Sequence, residues 1–378
     1  MVAPGGPGFA GINWGLEIDM PAKCKAATLI CTVGTSLLTN LKAQGQDLNN
    51  EIALVKELKS LDPATKLLGA EINSIHSILK KGLLEPEGLF LCISETPEGE
   101  RTGRILQRYY RDLFERVELV PIKGLQAEDP KRFRNQGLRN LVKTVADIVK
   151  REREHGREVA INATGGFKAQ ISFAGLIGQL LNVPVYYMFE TFQEVIELPP
   201  LPVDFSFDYW LSHFDLLERL SRDLLPEEEV PQDLNEVLIL REEGLCCLSS
   251  LGELFHQGYK ERFRRERGRL LPPPSGLKPE EKPVKYEDEN RGKHRGLKEH
   301  LERLLRVEYV TRVQTVWYDP GLSQRNRFYV SPNCAPNQIE GWFSNDKGMT
   351  KFLVTTTAQT ELERQAAVAD LTERILRE

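Results

Sequence analysis

Two short stretches combine glycines, hydroxyls and a lysine in a pattern suited to holding anions. They are VGTSLLTN, residues 33 to 40, and NATGGFK, residues 162 to 168. Glycine lets a backbone approach a ligand closely, hydroxyls donate hydrogen bonds, and a lysine in the first helical turn adds a full charge. If each stretch joins the end of a strand to the start of a helix, free N–H groups and a positive dipole end face the same point. The candidate contacts are Gly34, Thr35 and Ser36 in the first stretch and Thr164, Gly165, Gly166 and Lys168 in the second. Neither stretch is G-x-x-x-x-G-K-[ST] or G-x-G-x-x-G, which disfavours a nucleoside triphosphatase and gives dinucleotide binding little support. The bland alternative is that Gly165-Gly166 only permits tight strand–helix packing, and the matching GTS loop counts against it.

The surrounding pattern supplies the elements such loops need. AATLICTV, GLFLCIS, RVELVPI, EVAINAT and PVYYMFE are apolar runs of the kind that form buried parallel strands. Between them lie amphipathic segments such as TGRILQRYYRDLFERV and LRNLVKTVADIVKRE. The alternation predicts an α/β, Rossmann-like domain over residues 24–204, closed by the proline-broken ELPPLPVDF. Residues 1–23 lack the basic and apolar regions of a signal peptide and are expected to be a disordered leader.

The chain has 378 residues, enough for two or three domains of about 150 residues. It is 40% hydrophobic and 28% charged, the balance of a soluble globular protein. A net charge of −5 gives no global nucleic-acid signal, so any basic surface must be local. No run approaches 18 apolar residues, so no membrane partner is expected. Cys24, Cys31, Cys92, Cys246, Cys247 and Cys334 lack the spacing of a metal site. They are expected to be reduced thiols of a cytoplasmic protein, with no bound metal or cofactor.

After the first domain the character changes. In residues 205–269 a helical stretch, a strand-like piece, a turn at Glu243-Gly244 and a helix opening near Ser249 predict a small winged-helix module. Its basic stretch from Lys260 to Arg269 suits either nucleic acid or a solvated helix face. Residues 270–290 are rich in proline and charge and read as a linker. Residues 291–378 then predict a helix (GKHRGLKEHLERLLRV), four short strands and a closing helix, a small α+β domain.

VGTSLLTN after the first strand, NATGGFK late in the sheet and SETPEGERTGRILQRYY between them resemble the CARF sensor domain of type III CRISPR accessory proteins. That resemblance implies a homodimer binding cyclic oligoadenylate, in the first instance cyclic tetra-adenylate, across its two-fold axis. It places Gly34, Thr35, Ser36, Thr164, Gly165, Gly166 and Lys168 on the ring. A two-fold ring of phosphates matches a dimer that presents each loop twice. Some relatives also cleave the ring slowly, and Ser36 and Lys168 stand where those relatives keep hydroxyl and lysine.

A sensor implies an effector downstream. Arg295 to His300 has the spacing of a HEPN ribonuclease motif, but four strands follow it where HEPN domains are all-helical. Asp319 and Glu340 suit a metal-dependent nuclease, yet no E-x-K accompanies them. A RelE-like fold suits the helix-then-strands order and the many cations. Such RNA cleavage needs only deprotonation of a 2′-hydroxyl, cationic stabilisation of the phosphate and protonation of the leaving oxygen. The order of sensor, winged helix, linker and basic α+β domain resembles the CRISPR-associated mRNA interferase family. That resemblance implies mRNA cleavage in the ribosomal A site and recruitment by the ribosomal stalk protein. It carries over no catalytic residues. Chemistry alone nominates Arg325, Arg327, Lys347 and Lys351 as phosphate-facing cations, and His294 or Tyr329 for proton transfer. Trp317, Phe328, Tyr329, Trp342 and Phe352 are expected mainly in the core, with one exposed ring free to stack on a base. A different class is a non-catalytic, ligand-responsive transcription regulator.

Overall fold

Strand β1 (Ala26–Thr32) is buried along its whole length because helices cover both faces of its sheet. The computed structural model describes residues 25–48, 50–126, 129–166, 168–189, 191–198 and 206–376; the expected leader and Cys24 lie outside them. After β1 come α1 (Ser36–Ala43), α2 (Glu51–Ser60), α3 (Gly69–Lys80), β2 (Leu84–Ser94) and α4 (Pro97–Tyr110). Then follow β3 (Arg116–Ile122), the single turn α5 (Pro130–Arg132), α6 (Leu138–Glu154), β4 (Val159–Asn162), α7 (Lys168–Leu181), β5 (Val185–Tyr187) and β6 (Ile196–Glu197).

These strands form one six-stranded sheet in the order β3-β2-β1-β4-β5-β6. All pairings are parallel except β5 with β6. Period-two alternation divides the strands between two cores. Leu29, Leu89, Leu91 and Ile93 face a layer built on α1 to α4, with Leu37, Ile72 and Ile105. Ile30, Phe90 and Ile161 face α6 and α7, with Val145, Val149 and Ile177. The Rossmann-like expectation holds in this sheet order, with its switch point between β1 and β4.

The middle segment holds α8 (Phe207–Ser212), α9 (Phe214–Arg222) and a three-stranded sheet of β7 (Leu225–Pro226), β9 (Leu245–Leu248) and β8 (Ile239–Glu242). The β8–β9 hairpin turns at Glu243 and Gly244, whose φ values of 53° and 77° are those a two-residue hairpin turn requires. Helix α10 (Ser250–Leu270) follows, with Ser249 accepting the Gly252 N–H as its cap.

The helix is enclosed rather than presented. Glu253, His256, Lys260 and Glu261 on it are all buried. One side of its basic stretch is a packed seam of ion pairs, in which Lys260 bonds Glu218, Arg264 pairs with Glu373 at 2.9 Å and Arg267 with Asp370 at 2.8 Å, while Arg265 and Arg269 are exposed. On its other flank α10 meets α6, through Arg139 to Glu253 at 3.3 Å and Arg153 to Glu261 at 2.9 Å.

The last unit contains β10 (Val284–Tyr286), α11 (Leu297–Leu305), β11 (Val310–Asp319), β12 (Arg327–Tyr329), β13 (Gln338–Asn345), β14 (Gly348–Thr356) and α12 (Glu361–Ile375). Its sheet runs β10-β11-β14-β13-β12, antiparallel except for the parallel β10–β11 pair. The helix expected from residue 292 begins only at Leu297, because Gly292 and Gly296 take φ values of 71° and 82°. Lys293, His294 and Arg295 therefore precede it.

Residues 270–290, read from sequence as a linker, lie against this unit. Ser275 donates twice to the Glu308 carbonyl at 2.9 Å, buried Lys282 donates to the carbonyls of Leu305 and Val307 at 2.8 and 2.7 Å, and β10 joins the sheet. The middle segment and the C-terminal unit share one apolar core, in which Trp210, Phe214 and Tyr259 meet Leu301, Phe328 and Leu371. Among the described residues no helix is long and apolar enough to cross a membrane.

Candidate functional site

The chain leaves β1 toward one face of the first sheet and β4 toward the other, so the loops after these neighbouring strands border the same crevice. They touch: a Cβ on Gly34 would lie 2.8 Å from the Gly166 nitrogen. Gly166 has a φ of 93°, a conformation that favours glycine. The two glycine loops noticed in the sequence are thus one structure.

Their groups divide by role. Thr35 is exposed at the start of α1 and makes no capping bond, and Lys168 is exposed at the first position of α7. Ser36 is half-buried; its hydroxyl accepts the Ala70 N–H at 3.3 Å and lies beside the Glu71 carboxylate, whose pKa it helps to lower. Thr164, expected to offer a hydroxyl to a ligand, instead ties the loop: it donates to Asn162 Oδ1 at 2.7 Å and accepts from the Met188 N–H at 3.1 Å. Gly165 is buried, its carbonyl taking the Thr32 hydroxyl at 2.6 Å.

Beneath the loops lies a carboxylate that no sequence motif singles out. Glu71, near the start of α3, is fully buried and its Oε1 accepts the Gly34 N–H at 2.6 Å. The same oxygen stands 2.1 Å from where a Cβ on Gly165 would be. Its Oε2 has no hydrogen-bond partner among the described residues. Burial pushes the Glu71 pKa up, with the Gly34 N–H pulling the other way. Asn162 extends this buttress, donating to Ser74 Oγ at 2.8 Å, and Ser74 in turn donates to the Ala70 carbonyl at 2.7 Å. In sequence Glu71 reads only as an acid in a first helical turn, and only the fold reveals its partner 37 positions away.

In the C-terminal sheet the six nominated residues separate. Arg327 pairs across the strands with Trp342, Trp342 with Lys351, and Lys351 with Trp317, so these four side chains share one face. The Arg327 guanidinium lies 3.9 Å from the Trp342 ring and 4.1 Å from the Tyr329 ring. The Lys351 ammonium stands 5.0 Å from Trp342 and 5.1 Å from Trp317. Tyr329 donates to Glu340 at 2.5 Å; burial and that carboxylate push its pKa up to about 12, so it keeps its proton. Trp342 donates to the same Glu340 oxygen at 2.9 Å.

His294 is elsewhere. It is buried against Phe343 and Tyr318, and its nitrogens bond Thr350 Oγ1 and Asn345 Oδ1 at 2.8 Å each. Thr350 and Phe343 face each other on the side of the sheet opposite Lys351 and Trp342. Lys347 is exposed in the β13–β14 turn beside Asp346, and Arg325, also exposed, is paired with Asp223, just after α9. Of the aromatics expected mainly in the core, Phe328 and Phe352 are there, whereas Trp317, Tyr329 and Trp342 are half-exposed on the polar face.

His300, the HEPN candidate, is a core residue stacked on Phe328 and packed against Phe352; burial, with nearby Arg303, pulls its pKa down to about 4. Asp319, paired with Met349, sits at the far end of the sheet from Glu340, paired with Leu353.

Residues 66–201, from just before α3 to beyond β6, match the model of a family described as CRISPR-associated protein (Cas_APE2256). The span contains Glu71 and the second glycine loop. Among solved structures the chain is similar to Can2 from Sulfobacillus thermosulfidooxidans in complex with cyclic tetra-adenylate, at 13% identity over 65% of this chain and 69% of that one, with a TM-score of 0.24. It is also similar to protein VC1899 from Vibrio cholerae, at 8% identity over 88% and 77% of the two chains, with a TM-score of 0.26.

Proposed function

We propose that this chain is a cyclic-oligoadenylate-responsive CRISPR effector whose N-terminal sheet is a CARF-type sensor and whose C-terminal unit is a RelE-like endoribonuclease. One observation carries the reading: the two glycine loops meet at the switch point of a sheet whose residues 66–201 match a CRISPR-associated family. In the sensor, Thr35, Ser36 and Lys168, with the N-terminal amides of α1 and α7, hold phosphates of cyclic tetra-adenylate. A homodimer presents each loop twice to the two-fold ring.

In the effector, the 2′-hydroxyl of an mRNA attacks its own phosphate without a metal. Arg327 and Lys351 stabilise the charge that builds on the phosphate as the 2′-oxygen bonds to phosphorus and loses its proton to water, and Tyr329, which keeps its proton near neutral pH, donates to the departing 5′-oxygen. Arg325, Lys347 and His294 lie away from that row, which favours Arg327, Lys351 and Tyr329 among the nominated set. The substrate in this reading is mRNA in the ribosomal A site, with the stalk protein as recruiter. Helix α10, touching both the sensor and the C-terminal unit, passes the ligand-induced change, which can be no larger than the ring's differential affinity for the two states. A DNA-reading transcription regulator is disfavoured because α10 is enclosed.

The test is mRNA cleavage by purified protein on ribosomes with and without cyclic tetra-adenylate. Ring-dependent cuts are expected, and equal cleavage in both arms would refute the sensor–effector coupling. By calorimetry, Lys168→Ala is expected to weaken ring binding at least tenfold; unchanged affinity would remove the crevice as the binding site.

A further inference from the structure

We propose that the open face of the C-terminal sheet is a contact surface for unpaired, single-stranded RNA, on which the row Trp317–Lys351–Trp342–Arg327–Tyr329 stacks bases and holds the phosphates between them. The inference rests on the reading of the C-terminal unit as acting on RNA and names the surface that would receive it.

Register builds the row. Each strand from β11 through β14 and β13 to β12 contributes one of four directly facing residues, and rings alternate with cations along it. It spans three strand spacings, about 14 Å. The two sides of the sheet are made differently: Val313, Phe328, Phe352 and Val354 are buried on one, whereas the rings and cations of the row stay half-exposed on the other.

Flat rings level with a sheet reach bases that have left a duplex, and they tolerate any base because every base has a π-face. A guanidinium plane can stack on a base as well. Arg312 lies on the same face, facing Thr355, so three cations stand against two carboxylates, Glu340, which is already occupied by Tyr329 and Trp342, and Asp215 at the edge. An acidic peptide would satisfy these cations but would leave the rings unused.

The edge of the row carries a competitor. Asp215 of α9 approaches the Arg327 guanidinium at 3.7 Å, longer than a hydrogen bond, so a phosphate and Asp215 contend for the same cation.

The test uses the full chain with cyclic tetra-adenylate and a fluorescein-labelled, unstructured 2′-O-methyl RNA of about 15 nucleotides, long enough to cross the row. Such a strand cannot be cut by 2′-hydroxyl attack, so anisotropy reads binding alone. The single strand is expected to bind at least tenfold more tightly than the duplex of the same sequence. Trp342→Ala is expected to lose about tenfold, the value of one stacked base, while Trp342→Phe stays within about threefold of the parent. Asp215→Asn is expected to tighten binding about threefold, an effect that a purely structural role for the row would not give. Lys351→Ala, at a half-exposed site, serves should Trp342→Ala fail to fold.

Equal affinity for duplex and single strand, or equal competition by polyglutamate, would overturn the proposal. So would parental binding in both the Trp342 and Lys351 variants. If those variants bind normally while the parent still cuts natural RNA in the presence of the ring, the surface is wrong and the ribonuclease reading stands. Loss of both binding and cutting in the parent would remove both.

Discussion

The two candidate sites are built from different parts of the chain. The crevice between β1 and β4 is made of backbone: glycines in contact, amides at two helix starts and a buried carboxylate bracing them from below. The face of the C-terminal sheet is made of side chains, placed opposite one another by strand register. A backbone site fails when any atom is added to it. A side-chain site tolerates substitution by groups of like shape and loses function in proportion to what is removed.

The largest expected effect tests the backbone site. In Gly165→Ala the new Cβ would sit 2.1 Å from Glu71 Oε1 and 2.6 Å from the Thr32 carbonyl, so the loop must shift. Loss of ring binding in calorimetry is expected, with a destabilisation of about 1–3 kcal/mol by denaturant melts. Parental binding would show that the crevice is more plastic than its contacts indicate.

Glu71→Gln is gentler, because an amide can give its oxygen to the Gly34 N–H and dispense with the buried charge. Glu71 has a raised folded-state pKa, so its contribution is present below the ordinary glutamate value and lost as pH rises through the raised one. The glutamine variant is expected to lack that fall in melting temperature; an unchanged pH profile would mean that Glu71 does not titrate there.

Asp215 offers the same measurement at the other site. Burial raises it to about 6, with Arg327 and Arg219 pulling it down and Glu218 pushing it up. Its contribution to stability is present below about pH 4 and is lost as pH rises through about 6. Above that pH its charge contends for Arg327, so single-stranded RNA binding is expected to strengthen about threefold as pH falls from 7 to 5, and Asp215→Asn should remove the dependence.

The smallest effect is His300→Leu. This core histidine, depressed to about 4, has an Nε2 with no partner among the described residues. Its contribution is present above about pH 6.5 and lost as pH falls through about 4. RNA cleavage within about twofold of the parent and equal or greater stability at pH 5 are expected. Abolished cleavage with intact folding would revive the HEPN alternative.

How much of this was legible depends on range. AATLICTV and EVAINAT announce buried parallel strands, and the glycines that follow them announce loops able to approach an anion, because both signals are local. The basic stretch of α10 is only partly legible for the converse reason: Arg265 and Arg269 are exposed, but Lys260, Arg264 and Arg267 look like the same charged face until Glu218, Glu373 and Asp370 arrive from distant segments to neutralise them. The proline-rich stretch misled in the same way, since the carbonyls of Leu305 and Val307 that receive Lys282 are invisible in its composition.

The sequence by itself determined the alternation of strands and helices, the hairpin turn at Glu243-Gly244 and the two glycine loops, all set by backbone preferences and hydrophobic period over a few residues. Only the tertiary structure decided that the loops touch, that Glu71 braces them, and that Arg327, Trp342, Lys351 and Trp317 form one row while His294 lies behind the sheet. Strand order and register are chosen by burial over the whole core, and a shift of one residue would send every side chain of that row to the other face.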